Sequence, residues 1–446
     1  MLKIRSYFRD HVNSFRTIFL GFVVLVLAGA FLLSLPIAEA THTRVSFIDA
    51  LFTSTSAACV TGLVVFDTAT QWSLFGKTVI LILIQIGGLG VITVAILTMM
   101  MTGKRIDLLH RMTMQDAISA PQMGGIIRFT KFFLTGTFVM EGIGTVLLWP
   151  SFAKTEGFWK GLGYAVFHSV SAFCNAGFDI MGKGKPFSSL TSFVSDGWVN
   201  FVVIMLIVIG GIGFLTWDDL LHNKFHFKSL RLQTKVILTS TAALIFIPFV
   251  YFYFTECADL DIHTRFWASL FQAVTPRTAG FNTVDYGKMS ESSLLITISL
   301  MLIGGAPGST AGGMKVTTLA VISLAANAFL MRKSNVNCFN RRIEPSVIHN
   351  ALTLLVVYVA LLFGGTILIS AVEDLPVMRT MFECASALGT VGLTTGITPS
   401  LHDLSKVILI GFMFFGRVGG VTMAYAVISN LKKDVSKLPV EKITVG

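Results

Sequence analysis

Four short stretches of the chain end on a glycine that follows small and hydroxyl-bearing residues, and each comes after an aromatic-bearing apolar run. They are Ser56-Ala57-Ala58-Cys59-Val60-Thr61-Gly62-Leu63, Ser171-Ala172-Phe173-Cys174-Asn175-Ala176-Gly177-Phe178, Val274-Thr275-Pro276-Arg277-Thr278-Ala279-Gly280-Phe281 and Ser386-Ala387-Leu388-Gly389-Thr390-Val391-Gly392-Leu393. The chemistry such segments can do belongs to the backbone. Glycine reaches the positive φ that turns successive carbonyls toward one axis, and a ring of carbonyls can replace the hydration shell of a potassium ion. The carbonyls nearest such an ion are those of Val60 and Thr61, Asn175 and Ala176, Thr278 and Ala279, and Thr390 and Val391. They lead into Gly62, Gly177, Gly280 and Gly392. One glycine in a membrane helix is ordinarily a packing residue. Four in register, each followed by Leu or Phe, point to a fourfold internal repeat around a filter.

A second constellation lies after the third segment. Gly304-Gly305-Ala306-Pro307-Gly308-Ser309-Thr310-Ala311-Gly312-Gly313 precedes Met314-Lys315. It cannot stay helical, because each glycine costs about 1 kcal/mol and proline about 3 relative to alanine. The span it interrupts must break below the filter, and its small side chains suit a mobile plug. Gly87-Gly88-Leu89-Gly90, Gly210-Gly211-Ile212-Gly213 and Gly416-Arg417-Val418-Gly419-Gly420 are expected to be milder bends at the same depth. Arg417 sits in an apolar span where an isolated arginine costs at least about 2.5–3.5 kcal/mol, so it should face an aqueous cavity and a partner. Beside the broken stretch it would either resist cations electrostatically or cap loop carbonyls. Arg277 lies three residues before Gly280, and Glu383 is its expected neutralising neighbour. Glu141 reads as a buried, hydrogen-bonded carboxylate in preference to an ion site.

The elements that position these groups follow from composition. The chain has 446 residues, 53% hydrophobic and 13% charged, which implies an all-α integral membrane protein. Each repeat reads as a span, a half-length re-entrant segment, a glycine loop and a second span. The first comprises Thr17–Leu35, Phe47–Ala58 and Gly76–Met101, and the second Phe129–Trp149, Gly161–Cys174 and Trp198–Leu221. The third comprises Val236–Phe254, Phe266–Thr275 and Leu294–Met331, and the fourth Val347–Val372, Val377–Leu388 and Val407–Leu431. A half-length segment and loop survive at membrane depth only when protein or water surrounds them. The expectation is therefore eight transmembrane helices and four re-entrant pore helices around one pore with pseudo-fourfold symmetry. The repeats divide at residues 1–103, 104–222, 223–331 and 332–431, and a cytoplasmic tail occupies 432–446.

Net charge is +10, but the basic residues cluster before the first span, in the three linkers between repeats and in the tail. The positive-inside rule places all five clusters, and both termini, in the cytoplasm of a cell (plasma) membrane protein. Nucleic-acid binding is not needed to explain the charge. The first apolar run leads straight into the first repeat and reads as a retained span, not a cleaved leader. Five cysteines without ligand spacing argue against a metal or disulfide framework. The segments outside the spans are too short for a nucleotide-binding core, so nucleotide control must come from another chain.

These motifs resemble the Trk/Ktr/HKT superfamily of potassium-uptake proteins, whose four M1-P-M2 units each carry a degenerate potassium-channel filter with one retained glycine. The resemblance covers nearly the whole chain and rests on Val60-Thr61-Gly62-Leu63, Asn175-Ala176-Gly177-Phe178, Thr275-Pro276-Arg277-Thr278-Ala279-Gly280-Phe281 and Gly389-Thr390-Val391-Gly392-Leu393. Trk proteins carry extra spans, whereas only about sixteen residues precede the first span here, so the Ktr type fits better. Some plant relatives with serine at the first filter position select sodium, and Gly62 therefore favours potassium. The resemblance implies that Gly304–Gly313 is the intramembrane gate, with potassium the transported ion, sodium often an activator, and no cofactor in this chain. It also implies a homodimer in membrane lipid, with a cytoplasmic ring of RCK (KTN) regulatory subunits that bind ATP or ADP. The rival class is a cation-coupled secondary transporter binding at midplane helix breaks. Four parallel repeats argue against its usual two inverted halves, and no nucleophile–base pair or metal cluster speaks for an enzyme.

Overall fold

In the computed structural model, residues 14–40, 44–91, 125–182 and 184–420 are described, together with positions 93, 115, 423 and 441. The far end of the expected Gly76–Met101 span, most of the 104–124 linker, the end of the Val407–Leu431 span and nearly all of the tail lie outside the described residues.

Four continuous apolar helices form the first span of each unit: α1 (Ser14–Leu33), α4 (Ile126–Glu156), α8 (Leu232–Phe254) and α12 (Pro345–Glu373). Each has a stretch long and apolar enough to cross a membrane. Their outward faces expose Val24, Phe31, Val146, Phe246, Val356 and Ile367. In a membrane protein this is the surface lipid covers.

The re-entrant helices are α2 (Phe47–Ala58), α5 (Phe158–Phe173), α9 (Ile262–Val274) and α13 (Val377–Gly389). Their starts are set locally. Ser46 caps α2 by accepting from Asp49 N at 3.1 Å, and Asp261 caps α9 through Thr264 N at 3.1 Å. Each packs against the first span of its own unit and is buried over its C-terminal half.

All four second spans are interrupted. α3 (Leu74–Leu89) stops at Gly90, α14 (Asp403–Val418) at Gly419, and the third span is split into α10 (Glu291–Leu302) and α11 (Val316–Leu330). The second span consists of α6 (Gly197–Gly211) and α7 (Phe214–His222), which meet at 93°. The expectation of mild bends is therefore corrected for the second unit. Gly213, at φ +88°, ends one helix and starts the next in a new direction.

The ring order is visible in the packing. α3 lies on α5, α6 on α9 and α10 on α13, and α14 closes the circle on α2. That closure carries a buried ion pair, Lys406 Nζ to Asp49 Oδ1 at 2.6 Å. A small hairpin, β1 (Asn337–Cys338) with β2 (Arg341–Arg342), joins α11 to α12.

Candidate ion pathway

The end of each re-entrant helix explains how the chain enters the central ring. Thr61 N bonds Ser56 O at 2.8 Å while Val60 N bonds Ala57 O at 3.1 Å. The same pair recurs as Ala176 to Ser171 (2.8 Å) with Asn175 to Ala172 (3.1 Å), and as Val391 to Ser386 (2.8 Å) with Thr390 to Ala387 (3.1 Å). This is a Schellman termination, which needs a left-handed residue just beyond the helix. Glycine usually supplies it, but here Val60, Asn175 and Thr390 do so at φ +56°, +58° and +51°. In the third unit Pro276 has no N–H to give, and the pattern shifts to Arg277 N on Val274 O and Ala279 N on Thr275 O. Thr278 still reaches φ +68°. A β-branched residue held left-handed is strained and persists only where its surroundings over-determine it.

Two residues later come the four glycines, at φ +93° (Gly62), +67° (Gly177), +82° (Gly280) and +92° (Gly392). They meet around one axis. A Cβ on Gly62 would lie 2.5 Å from the Ala176 carbonyl oxygen, and one on Gly177 would lie 2.8 Å from that of Ala279. A Cβ on Gly280 would run into the Val391 oxygen, and one on Gly392 into the Thr61 oxygen. The ring thus closes in the order Gly62, Gly177, Gly280, Gly392, with the preceding residue's carbonyl from one unit against the glycine of its neighbour. At each of these four places a Cβ would come within 3 Å of a neighbouring unit's backbone, so a larger residue must displace the ring.

Hydroxyl groups hold each strand to its own helix. Ser56 Oγ accepts from Gly62 N at 3.0 Å and Ser386 Oγ from Gly392 N at 3.0 Å. Ser171 Oγ donates to Phe178 O at 2.7 Å, and Thr275 Oγ1 donates to Phe281 O. The sequence carried the signal for these ties in the serine six residues before three of the glycines. Below the ring, Asn175 turns its amide nitrogen to the carbonyls of Ala172 (3.2 Å) and Ile207 (3.3 Å), which brings its oxygen toward Thr278 Oγ1.

The Gly304–Gly313 stretch packs against the helix ends of the second and fourth units. Gly304 N bonds Met314 O at 2.7 Å and Val316 N bonds Gly305 O at 3.0 Å, closing the loop's base. Its flanks reach the breaks of the other units. Ala306 N bonds Gly211 O (2.9 Å), Phe214 N bonds Gly308 O (2.9 Å) and Gly313 N bonds Gly416 O (3.1 Å). Thr310 Oγ1 donates to Phe173 O at 3.1 Å, and Ser309 Oγ to Ala306 O at 2.6 Å. A Cβ on Gly312 would strike the Thr390 side chain, and one on Gly313 would lie 2.9 Å from Gly389 O. Pro307 and Ala311 complete the loop. Beside the loop, Ser309, Lys315 and Arg417 help line a cavity of about 380 Å³.

Arg417 donates to Thr310 O in the loop and to Gly87 O and Gly88 O (3.0 Å) at the end of α3. It therefore bridges the loop to the first unit's break. Lys315 Nζ likewise donates to Ala311 O at 2.8 Å. The anticipated pairing of Arg277 with Glu383 is not formed. Arg277 donates to Thr241 Oγ1 on α8 at 3.3 Å, while Glu383 is satisfied within its own unit by Thr394, Thr395 and Thr398. Glu141 accepts from Gln85 Nε2 at 3.0 and 3.2 Å, the buried and hydrogen-bonded state expected of it. The Lys406–Asp49 pair had no sequence signal, since its members stand 357 positions apart.

Fold and ring together define a four-unit membrane protein with re-entrant helices around a central axis. The chain belongs to the TrkH cation transport protein family, whose profile matches residues 3–437. It is 41% identical over 413 residues to the Ktr system potassium uptake protein B of Bacillus subtilis, covering 91% of each chain. It is 37% identical over 457 residues to the potassium/sodium uptake protein NtpJ of Enterococcus hirae, covering 100% of each. Its fold matches the crystal structure of the potassium transporter TrkH from Vibrio parahaemolyticus with a TM-score of 0.74 at 20% identity, over 95% of this chain and 86% of that one.

Proposed function

We propose that this chain is the membrane subunit of a Ktr-type potassium-uptake system, which passes potassium inward, down its electrochemical gradient, through a gated channel-like pore. The observation that carries the reading is the closed ring of four positive-φ glycines, each against a carbonyl from the neighbouring unit. Carbonyls of Val60, Thr61, Asn175, Ala176, Thr278, Ala279, Thr390 and Val391 supply the oxygen cage, and re-entrant helix C-termini aim their partial negative charge at the ion. Gly304–Gly313 with Lys315 and Arg417 is the gate. The repeats divide at residues 1–103, 104–222, 223–331 and 332–431. The names of the relatives in Bacillus subtilis and Enterococcus hirae support potassium as cargo, and the second adds sodium as cargo or activator. "System" in the first name supports a partner, which we take to be a cytoplasmic ring of nucleotide-binding regulatory subunits beneath a homodimer in the plasma membrane, with both termini cytoplasmic. The protein acts by conduction and performs no covalent chemistry. The test is uptake in potassium-transport-deficient cells, with rubidium and sodium compared. A lowered preference for rubidium over sodium is expected when Gly62 or Gly392 is replaced, and a preference indifferent to both replacements would refute the reading.

A further inference from the structure

α13 carries Glu383 and Ser386 three positions apart, on one face of the helix. Ser386 holds the inner part of the fourth strand through Gly392 N, and one turn earlier Glu383 holds the segment beyond that glycine. Its Oε1 accepts from Thr394 Oγ1 at 2.6 Å and Thr395 N at 3.0 Å, with Thr395 Oγ1 at 3.4 Å, and its Oε2 accepts from Thr398 Oγ1 at 2.7 Å. Thr394 Oγ1 in turn accepts from Gly396 N at 2.9 Å and lies 3.0 Å from Thr398 Oγ1. The side chain is 0% exposed and has no ion pair among the described residues.

The other three units do without this device. Nine residues before their glycines stand Thr53, His168 and Phe271. Thr53 Oγ1 folds back on Asp49 O at 2.9 Å, and His168 Nδ1 lies 2.7 Å from Tyr164 O in its own helix with Nε2 unpartnered. Phe271 offers nothing polar. The nearest counterpart is one neutral bond, Gln272 Nε2 to Thr283 Oγ1 at 3.2 Å.

We propose that Glu383 is the positioning residue that fixes the outer half of the fourth filter strand, so that discrimination of potassium from the smaller sodium ion depends on its bonds to Thr394, Thr395 and Thr398. The proposal rests on reading the glycine ring as the filter. In the snug-fit account a carbonyl cage prefers the larger ion because its oxygens cannot close on the smaller one, and on that account the strand must be held on both sides of Gly392. Ser386 provides the inner hold and Glu383 the outer. Because Gly392 abuts the Thr61 carbonyl and Gly280 abuts that of Val391, slack in the fourth strand passes to both neighbouring units.

The experiment measures the ratio of rubidium to sodium uptake, which does not depend on how much protein reaches the membrane, in potassium-transport-deficient cells expressing the full chain. Glu383→Ala should lower the ratio about tenfold, the equivalent of one charge-assisted hydrogen bond. Thr398→Val, which removes one hydroxyl at nearly constant volume, should lower it in the same direction, and the double variant should be no worse than Glu383→Ala alone because both remove the same clamp. Glu383→Gln should stay near wild type, since its oxygen serves Thr394 and Thr395 while its NH2 donates to Thr398 Oγ1. A wild-type ratio in Glu383→Ala overturns the proposal. If that variant is not expressed, a wild-type ratio in Thr398→Val overturns it equally. A Glu383→Gln ratio as low as that of alanine would mean that charge, not the clamp, is at work. Gly62→Ser serves as the control. If it shifts the ratio and the Glu383 variants do not, only the clamp falls; if none shifts it, the filter reading itself falls.

Discussion

Arg417 gives the sharpest test of the proposed gate. Its guanidinium spans two elements, taking Thr310 O in the loop and Gly87 O and Gly88 O on α3. If the loop leaves, the α3 bonds can remain and only the Thr310 bond is lost. A hydrogen bond to a charged group is worth about 1.5–3 kcal/mol net, so this one contact favours the docked loop by a factor of about 10 to 150. Arg417→Gln removes the bridge, because a side chain two bonds shorter with one NH2 cannot reach both partners. Uptake by the membrane subunit should then rise by about tenfold or more, within the same free-energy bound. Arg417→Lys separates a latch from a charge barrier. A latch needs the planar five-donor fork, so lysine should also raise flux, though less than glutamine. Through-space repulsion needs only the charge, about 3 kcal/mol for unit charges 6 Å apart at an effective dielectric of 20, and predicts a wild-type rate for lysine. The assay is rubidium uptake normalised to surface protein. Wild-type flux in Arg417→Lys beside raised flux in Arg417→Gln would refute the latch, and unchanged flux in both would remove Arg417 from the gate.

Three further outcomes are expected. Gly62→Ser should reach the membrane but lose selectivity, because its Cβ would sit 2.5 Å from Ala176 O at φ +93° and such strain costs about 1–3 kcal/mol; paired rubidium and sodium fluxes check this. Shortening Gly304–Gly313 should raise flux and loosen dependence on the proposed regulatory partner, and a folded deletion with unchanged or lower flux would show that the loop does not obstruct. Lys406→Met should destabilise the protein by about 3–5 kcal/mol by stranding the Asp49 carboxylate, and Asp49→Leu with Lys406→Met should recover much of it; the apparent Tm of detergent-solubilised protein reports both.

The repeating pattern of apolar runs and glycine segments was enough to locate all four re-entrant helices. Phe47–Ala58 appears with the bounds expected, and the others within a few residues. That legibility has a physical cause. Membrane depth forces helix wherever backbone polar groups would meet lipid, and a glycine run forbids it, so composition alone sets where the chain must turn. The break at Gly304–Gly313 was readable for the same reason, as was the isolated Arg417. The severity of the second unit's break was not, because a 93° turn depends on how α7 is received by Phe214 N on Gly308 O and not on glycine count.

Long-range partners were beyond the sequence altogether. Position nine before each ring glycine holds four unrelated residue types, so nothing local announced that Glu383 would serve Thr394, Thr395 and Thr398 in place of Arg277, or that Arg277 would turn to Thr241. The left-handed Val60, Asn175, Thr278 and Thr390 were equally hidden, since positive φ is readable only where glycine occupies the position. Sequence determined which backbone could leave the helical state and at what depth, because that is a local cost. Which carbonyl faces which glycine, and which carboxylate finds which donor, was decided only when four units closed on one axis, because those contacts join residues that no local pattern links.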